Sequence, residues 1–487
     1  MKSFISLRKS MISGTMAVAL LSSSVPYNAV LQSYAAETPD TGVTSEIARS
    51  IYEAPVSENN IVFTAEDAAE NAIAKKSSAS TLSMAEENGY KYYVTAGRAV
   101  IDTYIGEETE IVIPDTLGGF EVTEIGYAAF AGNKNITSVK IHDSINRINH
   151  DAFNGCTSLT EVDIPSSVTS IQDGAFSGCA ALVSITLPDS VSRIEDNTFA
   201  GCNSLSEVKL NSNIDYIGKS SFANCLSLSA FEIPASVTAI GNMAFAGSGL
   251  SSLDVPDTVT SLGYAVFANC ASLKEIKLPE SITVLKSGND LGMFSNCTSL
   301  ESVTFPEALT ELGNNAFSGC TSLDAIALPE TVNKIGSGAF RNCTLLSTFT
   351  VPSLVTRIEG STFSGCTSLE SVKLHNNVEY LGGSAFSNCV ELSEAALPDK
   401  LAEIGEKCFY NSGIKEINVP KSVTEIGGGA FAACASLKKA VLPDTIKVLN
   451  SVNDLGLFSD DTSLTDVKLP SALTTIGALS FRNCKAL

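Results

Sequence analysis

The 487-residue chain has no tryptophan and only three histidines. Without tryptophan, a glycan-binding track loses its best aromatic platform, and most phenylalanines are committed to a regular repeat. Lys and Arg number 31 against 53 Asp and Glu, a net charge of −22 with pI near 4.6. A phosphate-binding surface needs clustered cations, so nucleic acid is not expected as a partner. The same charge disfavours unassisted docking on anionic lipid. Past the N-terminal region no stretch reaches the 18 consecutive apolar residues of a membrane span, so no insertion is expected after leader cleavage. No Asp-x-Asp-x-Asp-Gly loop occurs, which removes EF-hand-like and dockerin-type calcium sites. His142, His150 and His375 stand near strand ends or turns, outside the repeat positions. A Cys-His nucleophile pair needs one of them beside an accessible low-pKa thiol. No enzyme is expected, and no cofactor or metal.

What is present begins with a leader. Lys2, Arg8 and Lys9 precede a weakly apolar run from Met11 to Val25, with small residues at Ser33 and Ala35. This reads as a signal peptide over 1–35, cut near Ala35 or Ala36, and predicts a secreted or surface-displayed bacterial product. Residues 36–88 lack the repeat and read as a linker or mobile arm. Within them Thr64-Ala65-Glu66-Asp67 has a capping-box start and predicts a short helix over 65–76. From 89 to 114, alternating residues such as Tyr92, Val94, Val100, Ile101, Ile111 and Ile113 predict two strands or a hairpin that caps a repeat array.

From 115 to 487 one unit recurs. Phenylalanines stand at 130, 153, 176, 199, 222, 245, 267, 294, 317, 340, 363, 386, 409, 431, 458 and 481. The steps are 23 residues, with one of 22 and one of 27 in each of two blocks. A period of 20–30 residues marks a solenoid, because one short coil cannot bury its apolar side alone. Each coil reads in three pieces. A short strand such as Leu159, Val162, Ile164 ends at Pro165, which cannot donate to a ladder. A second extended pair follows, Val168 and Ile171. Then Gly174-Ala175-Phe176-Ser177-Gly178-Cys179 suits a single helical or 3₁₀ turn with Phe inward. The predicted fold is a β-rich solenoid: a right-handed stack of about sixteen coils with short parallel strands, about 75 Å long at roughly 4.8 Å per coil.

Thirteen cysteines in an exported chain suggest a disulfide framework, but twelve of them occupy one register, three residues after the repeat phenylalanine. Stacked coils set such side chains parallel, whereas a disulfide needs Cβ vectors that face each other. They are expected to be buried free thiols, with Ser248, Ser412 and Asp461 as register substitutes and Cys408 as a core residue out of register.

The 22 and 27 steps recur 164 residues apart, from Phe130 to Phe294 to Phe458, so a seven-coil block was copied. Four extra residues before Phe294 and Phe458 must bulge from one edge, and both carry Asn-Asp-Leu-Gly. Asn289, Asp290, Asn453 and Asp454 are therefore the candidate contacts for a partner or a cation, against a turn-stabilising role for the same residues. The strings Leu328-Pro329-Glu330-Thr331 and Leu442-Pro443-Asp444-Thr445 approach a sortase signal but lack the Gly, apolar segment and basic tail, and read as repeat text. The last coil ends at Leu487 before its strand, which reads as an incomplete array.

The unit Leu-x-x-Ile-x-Leu-Pro-x-x-Val-x-x-Ile-Gly-x-x-Ala-Phe-x-x-Cys, as in 273–297 and 323–343, resembles the BspA-type (Treponema pallidum-type) leucine-rich repeat. That resemblance implies a bacterial surface or secreted protein, in some cases an adhesin for host matrix proteins or other cells. The function expected is non-enzymatic protein binding or adhesion on a host or bacterial surface. The alternatives are a targeting arm of a longer enzyme or wall-anchored protein, and a glycan-binding module.

Overall fold

The computed structural model describes residues 83–487. The leader over 1–35, the helix over 65–76 and all but the last residues of the arm lie outside them. Strand pairing begins with β1 (Ala85–Glu87), inside the stretch expected as an arm. It pairs antiparallel with β2 (Tyr90–Thr95), and β2 pairs antiparallel with β3 (Arg98–Tyr104). Both connections are two-residue turns with positive φ at each position, Asn88-Gly89 and Ala96-Gly97. This is the type I′ geometry that matches strand twist, and the Asn-Gly pair was its sequence signal. β4 (Glu110–Val112) starts one parallel ladder by pairing with Ser138–Lys140. β5 (Thr116–Leu117) folds back on β6 (Phe120–Ile125), and β6 joins β3 to the second ladder through Arg147–Ile148.

Beyond this the chain is a parallel β-solenoid of about sixteen turns. Three-residue strands such as Ser138–Lys140 and Glu161–Asp163 pair one coil apart, and two-residue strands such as Arg147–Ile148 and Ser170–Ile171 form the second ladder. Side chains alternate, so Val139 and Ile148 face inward while Lys140 and Arg147 face water. Burying each apolar side chain stabilises by roughly 1.5–3 kcal/mol.

The third piece of the coil is a succession of tight turns, not the expected helical or 3₁₀ turn. Gly174 (φ 65°) and Gly178 (φ 70°) are left-handed and interrupt any helical run. The N–H groups of Gly174, Phe176 and Gly178 donate to carbonyls of Asp196, Thr198 and Ala200 in the next coil. Those of Ala175, Ser177 and Cys179 close locally on Gln172, Gly174 and Phe176. A helix spends its interior N–H groups along its own axis; this turn directs half of them to its neighbour and so stacks as a third ladder. The position before the register cysteine is left-handed throughout and is Gly or Asn in each copy, except Ala433 (φ 61°) and Asp460 (φ 68°).

Phe130 to Phe481 form one continuous column. Successive ring centroids lie 4.9 to 6.1 Å apart with planes 4° to 20° from parallel. Tyr104 extends it, stacked on Phe130 at 5.4 Å, with Tyr90 edge-on to the same ring at 6.4 Å. At the other end Ile476 and Leu479 are exposed, whereas Leu312 and Ile335, which hold the register of Ile476 in earlier coils, are fully buried.

The three-residue ladder is interrupted. No strand forms around Ala230, across Ala325–Ala327 or around Ala395-Ala396, and the ladder is divided at each of these coils, as it also is between the alanine-free strands Glu161–Asp163 and Ser184–Thr186. Alanine is depleted from strands because it offers little cross-strand packing. Ala440, flanked by Lys439 and Val441, does keep its strand.

Candidate interaction surface

The two insertions fold as small hairpins. Gly288 and Leu291 exchange backbone bonds of 3.0 Å in both directions, and Ser451–Val452 pairs antiparallel with Leu455–Gly456. Between the arms sit Asn289 (φ 52°) and Asp290 (φ 59°), and Asn453 (φ 45°) and Asp454 (φ 60°). Two consecutive left-handed residues define a type I′ turn, and Asn and Asp tolerate that region best after Gly. Asn289 Nδ2 donates to the Tyr264 hydroxyl at 3.1 Å, Asn315 Nδ2 to the Asp290 carbonyl at 3.0 Å, and Arg482 Nη1 to the Asp454 carbonyl at 3.2 Å. The four candidate side chains are exposed. Their two pairs stand seven coils apart, about 34 Å at the usual strand spacing, and do not converge. Among the described residues no three His, Cys, Asp or Glu side chains gather as a metal cluster.

All thirteen cysteines are free, and all but Cys484 are buried. Their packing has a polar component that the sequence did not reveal. Each register thiol donates to the carbonyl of the phenylalanine one coil earlier, as Cys179 to Phe153 at 3.2 Å and Cys343 to Phe317 at 3.1 Å. Ser248 and Ser412 instead contact the next thiol, at Cys270 and Cys434, at 3.4 Å each. Burial pushes the thiols of Cys156, Cys202, Cys366 and Cys434 up to about 12, and those of Cys270 and Cys484 to about 11. The thiolate is the reactive form, so these groups are poor nucleophiles. Alkylation of the native chain at pH 7.5 is expected to reach Cys484 first and the buried register thiols at least 100-fold more slowly. Unfolding without reductant should then label all thirteen; mass spectrometry finding any pair protected would contradict this packing.

Two of the three histidines share a register position after all, together with Asn211: the one that proline holds in most coils. His142 Nε2 donates to the Pro114 carbonyl at 3.1 Å and His375 Nε2 to the Pro352 carbonyl at 2.8 Å. Their Nδ1 atoms accept from the N–H groups of Ser144 and Asn377 at 3.2 Å. Asn211 likewise donates to the Pro188 carbonyl at 2.7 Å and accepts from Asn213 N–H. These side chains fasten one coil to the next. His150 lies apart, 3.5 Å from Asp173.

The outward stripe of the first ladder, including Lys140, Asp163, Lys209, Asp254, Lys277, Thr304, Thr350 and Lys468, is exposed and of mixed charge. Sequence reasoning missed a feature of the second ladder. Arg193 lies over the Tyr216 ring at 4.2 Å and Arg357 over Tyr380 at 3.7 Å, each pair aligned across adjacent two-residue strands. The signal was present, since Arg and Tyr both recur 164 residues apart.

This repeat is recognised by the model for the "BspA type Leucine rich repeat region (6 copies)", which matches residues 123–251, 238–370 and 356–487. The chain belongs to the BspA-type leucine-rich repeat family. Among solved structures, the BspA-type chain is similar to a leucine-rich repeat protein from Bacteroides ovatus, with 27% identity and a TM-score of 0.54 over 83% of this chain and 93% of that one. It is also similar to a leucine-rich cell surface protein from Faecalibacterium prausnitzii, with 26% identity and a TM-score of 0.50 over 80% and 95%. No curated protein matches. Both are leucine-rich proteins by description, in keeping with a coil whose register thiols, His142 and His375 are engaged in packing.

Proposed function

We propose that this chain is an exported, non-enzymatic protein-binding module that serves adhesion at the bacterial surface. The observation that carries this reading is the exposed, mixed-charge stripe of the first ladder together with the two Arg-Tyr pairs of the second, which recur 164 residues apart. Arg and Tyr are enriched where protein interfaces concentrate their energy, and a solenoid presents many shallow contacts along one face. The Faecalibacterium relative, a cell surface protein, supports the location. The leader over 1–35 supports export, and the hairpins at Asn289-Asp290 and Asn453-Asp454 are proposed as contacts at the rim of the same surface. The test is to display the secreted chain against purified host-matrix and bacterial surface proteins, then repeat with one 164-residue block deleted. Saturable binding that weakens with the deletion is expected; no saturable binding to any protein on the panel overturns the reading.

A further inference from the structure

One interruption of the first ladder opens a cleft. Leu278 N–H donates to the Thr304 carbonyl and Val351 N–H to the Lys373 carbonyl, each at 3.1 Å, closing one coil on the next. The equivalent bonds from Phe305 to Ala327 and from Leu328 to Thr350 are absent. Between the coils lies an open cavity of about 490 Å³, lined by Val303, Phe305, Leu328, Pro329, Glu307 and Glu330 among others. Val303, Phe305 and Leu328 are half-buried, whereas Ile276 and Leu278 one coil earlier are 3% and 1% exposed. The cleft is short, because the single Thr331 Oγ1 proton is shared between the carbonyls of Glu307 and Leu309, at 2.8 and 2.7 Å, and rejoins the coils.

Beside it runs a column of exposed carboxylates on successive coils: Asp257, Glu280, Glu307 and Glu330. Asp257 Oδ1 accepts the Glu280 N–H at 3.1 Å, Glu280 Oε2 the Glu307 N–H at 3.4 Å, and Glu330 Oε2 the Ser353 N–H at 3.4 Å, so the column is fastened on either side of the cleft. The outward strand positions facing the cleft are uncharged, Thr304, Ala327 and Thr350, with lysines only beyond them at Lys277 and Lys373.

We propose that this cleft receives an extended segment of a partner protein that carries Lys or Arg next to an apolar side chain. The segment lies across the mouth of the cleft, and its main chain bonds the N–H and carbonyl groups that the missing bonds leave unpaired. Its apolar side chain fills the space over Phe305 and Leu328, and its cation meets Glu307 and Glu330. The inference rests on the protein-binding reading and adds where and what that binding recognises.

The test uses the full chain and a fluorescein-labelled nonapeptide alternating Lys and Val, read by polarisation and by hydrogen exchange. Saturable binding is expected, with protection gained at 303–305 and 325–328. Replacing the peptide's Lys by Glu, or methylating its backbone nitrogens, should weaken it at least tenfold. The double variant Glu307→Lys, Glu330→Lys should do the same, while the distant Glu416→Lys, Glu425→Lys, equal in net charge, should leave it unchanged. Equal losses in both double variants, protection elsewhere or no saturable binding each overturn the proposal. Capture of a surface protein that is insensitive to the cleft variants overturns the cleft alone and leaves the protein-binding reading standing.

Discussion

Replacing Phe317 by alanine is expected to cost about 3–5 kcal/mol and to split a single unfolding transition into two. The ring is fully buried, stacked on Phe294 at 5.2 Å and Phe340 at 5.5 Å, with Phe305 edge-on at 6.0 Å. Removal leaves a void that coils on either side cannot close without shortening their backbone ladder. Each coil touches only its neighbours, so the damage stays local and uncouples the stack above Phe317 from that below it. Circular dichroism during urea unfolding checks this. A loss under about 1 kcal/mol would show that the column is filler around a backbone that stacks unaided.

The second large effect is at Asp461, which occupies the thiol register of the later 27-residue coil, where the earlier block has Cys297. Its side chain is fully buried; Oδ1 accepts the Cys434 N–H at 2.8 Å, and Oδ2 has no hydrogen-bond partner. Burial pushes the carboxyl up to about 9, opposed by the Cys434 bond and reinforced by the neighbouring Asp460. An unfolded aspartate titrates near 3.9. Because the folded value is the higher one, the native state holds a proton that the unfolded state releases. Stability from this group is thus complete below about pH 4 and falls as pH rises towards about 9. Between pH 5 and pH 8 the decline is at most about 4 kcal/mol, at 1.36 kcal/mol per pH unit. Asp461→Cys restores the register residue and is expected to flatten that decline and to be the more stable form at pH 8. Urea midpoints of both proteins at pH 5 and pH 8 measure the difference; parallel pH slopes would mean that the terminal coils open and hydrate the carboxyl.

Much of this was legible in the sequence because a solenoid is nearly one-dimensional. The phenylalanine register named the buried column, the parallel setting of the cysteines argued against disulfides, and the extra Asn-Asp residues located both edge loops. The turn was misjudged because local composition suggests a helical turn, while the left-handed residues at 174 and 178 serve hydrogen bonds to another coil. Asn88-Gly89 was readable as a hairpin turn and was passed over inside a polar stretch. His142 and His375 looked unplaced until aligned with the prolines, since their task is to bind a carbonyl 28 and 23 residues away.

By itself the sequence determined the period, the residues that face inward and the copied block, because burial demands that apolar side chains recur once per coil. Only the tertiary structure decided how coils join: which N–H groups bond upward, where alanine lets a ladder lapse into a cleft, and which Arg covers which Tyr. Those contacts link residues a full coil apart, so they exist only once neighbouring coils stand in register.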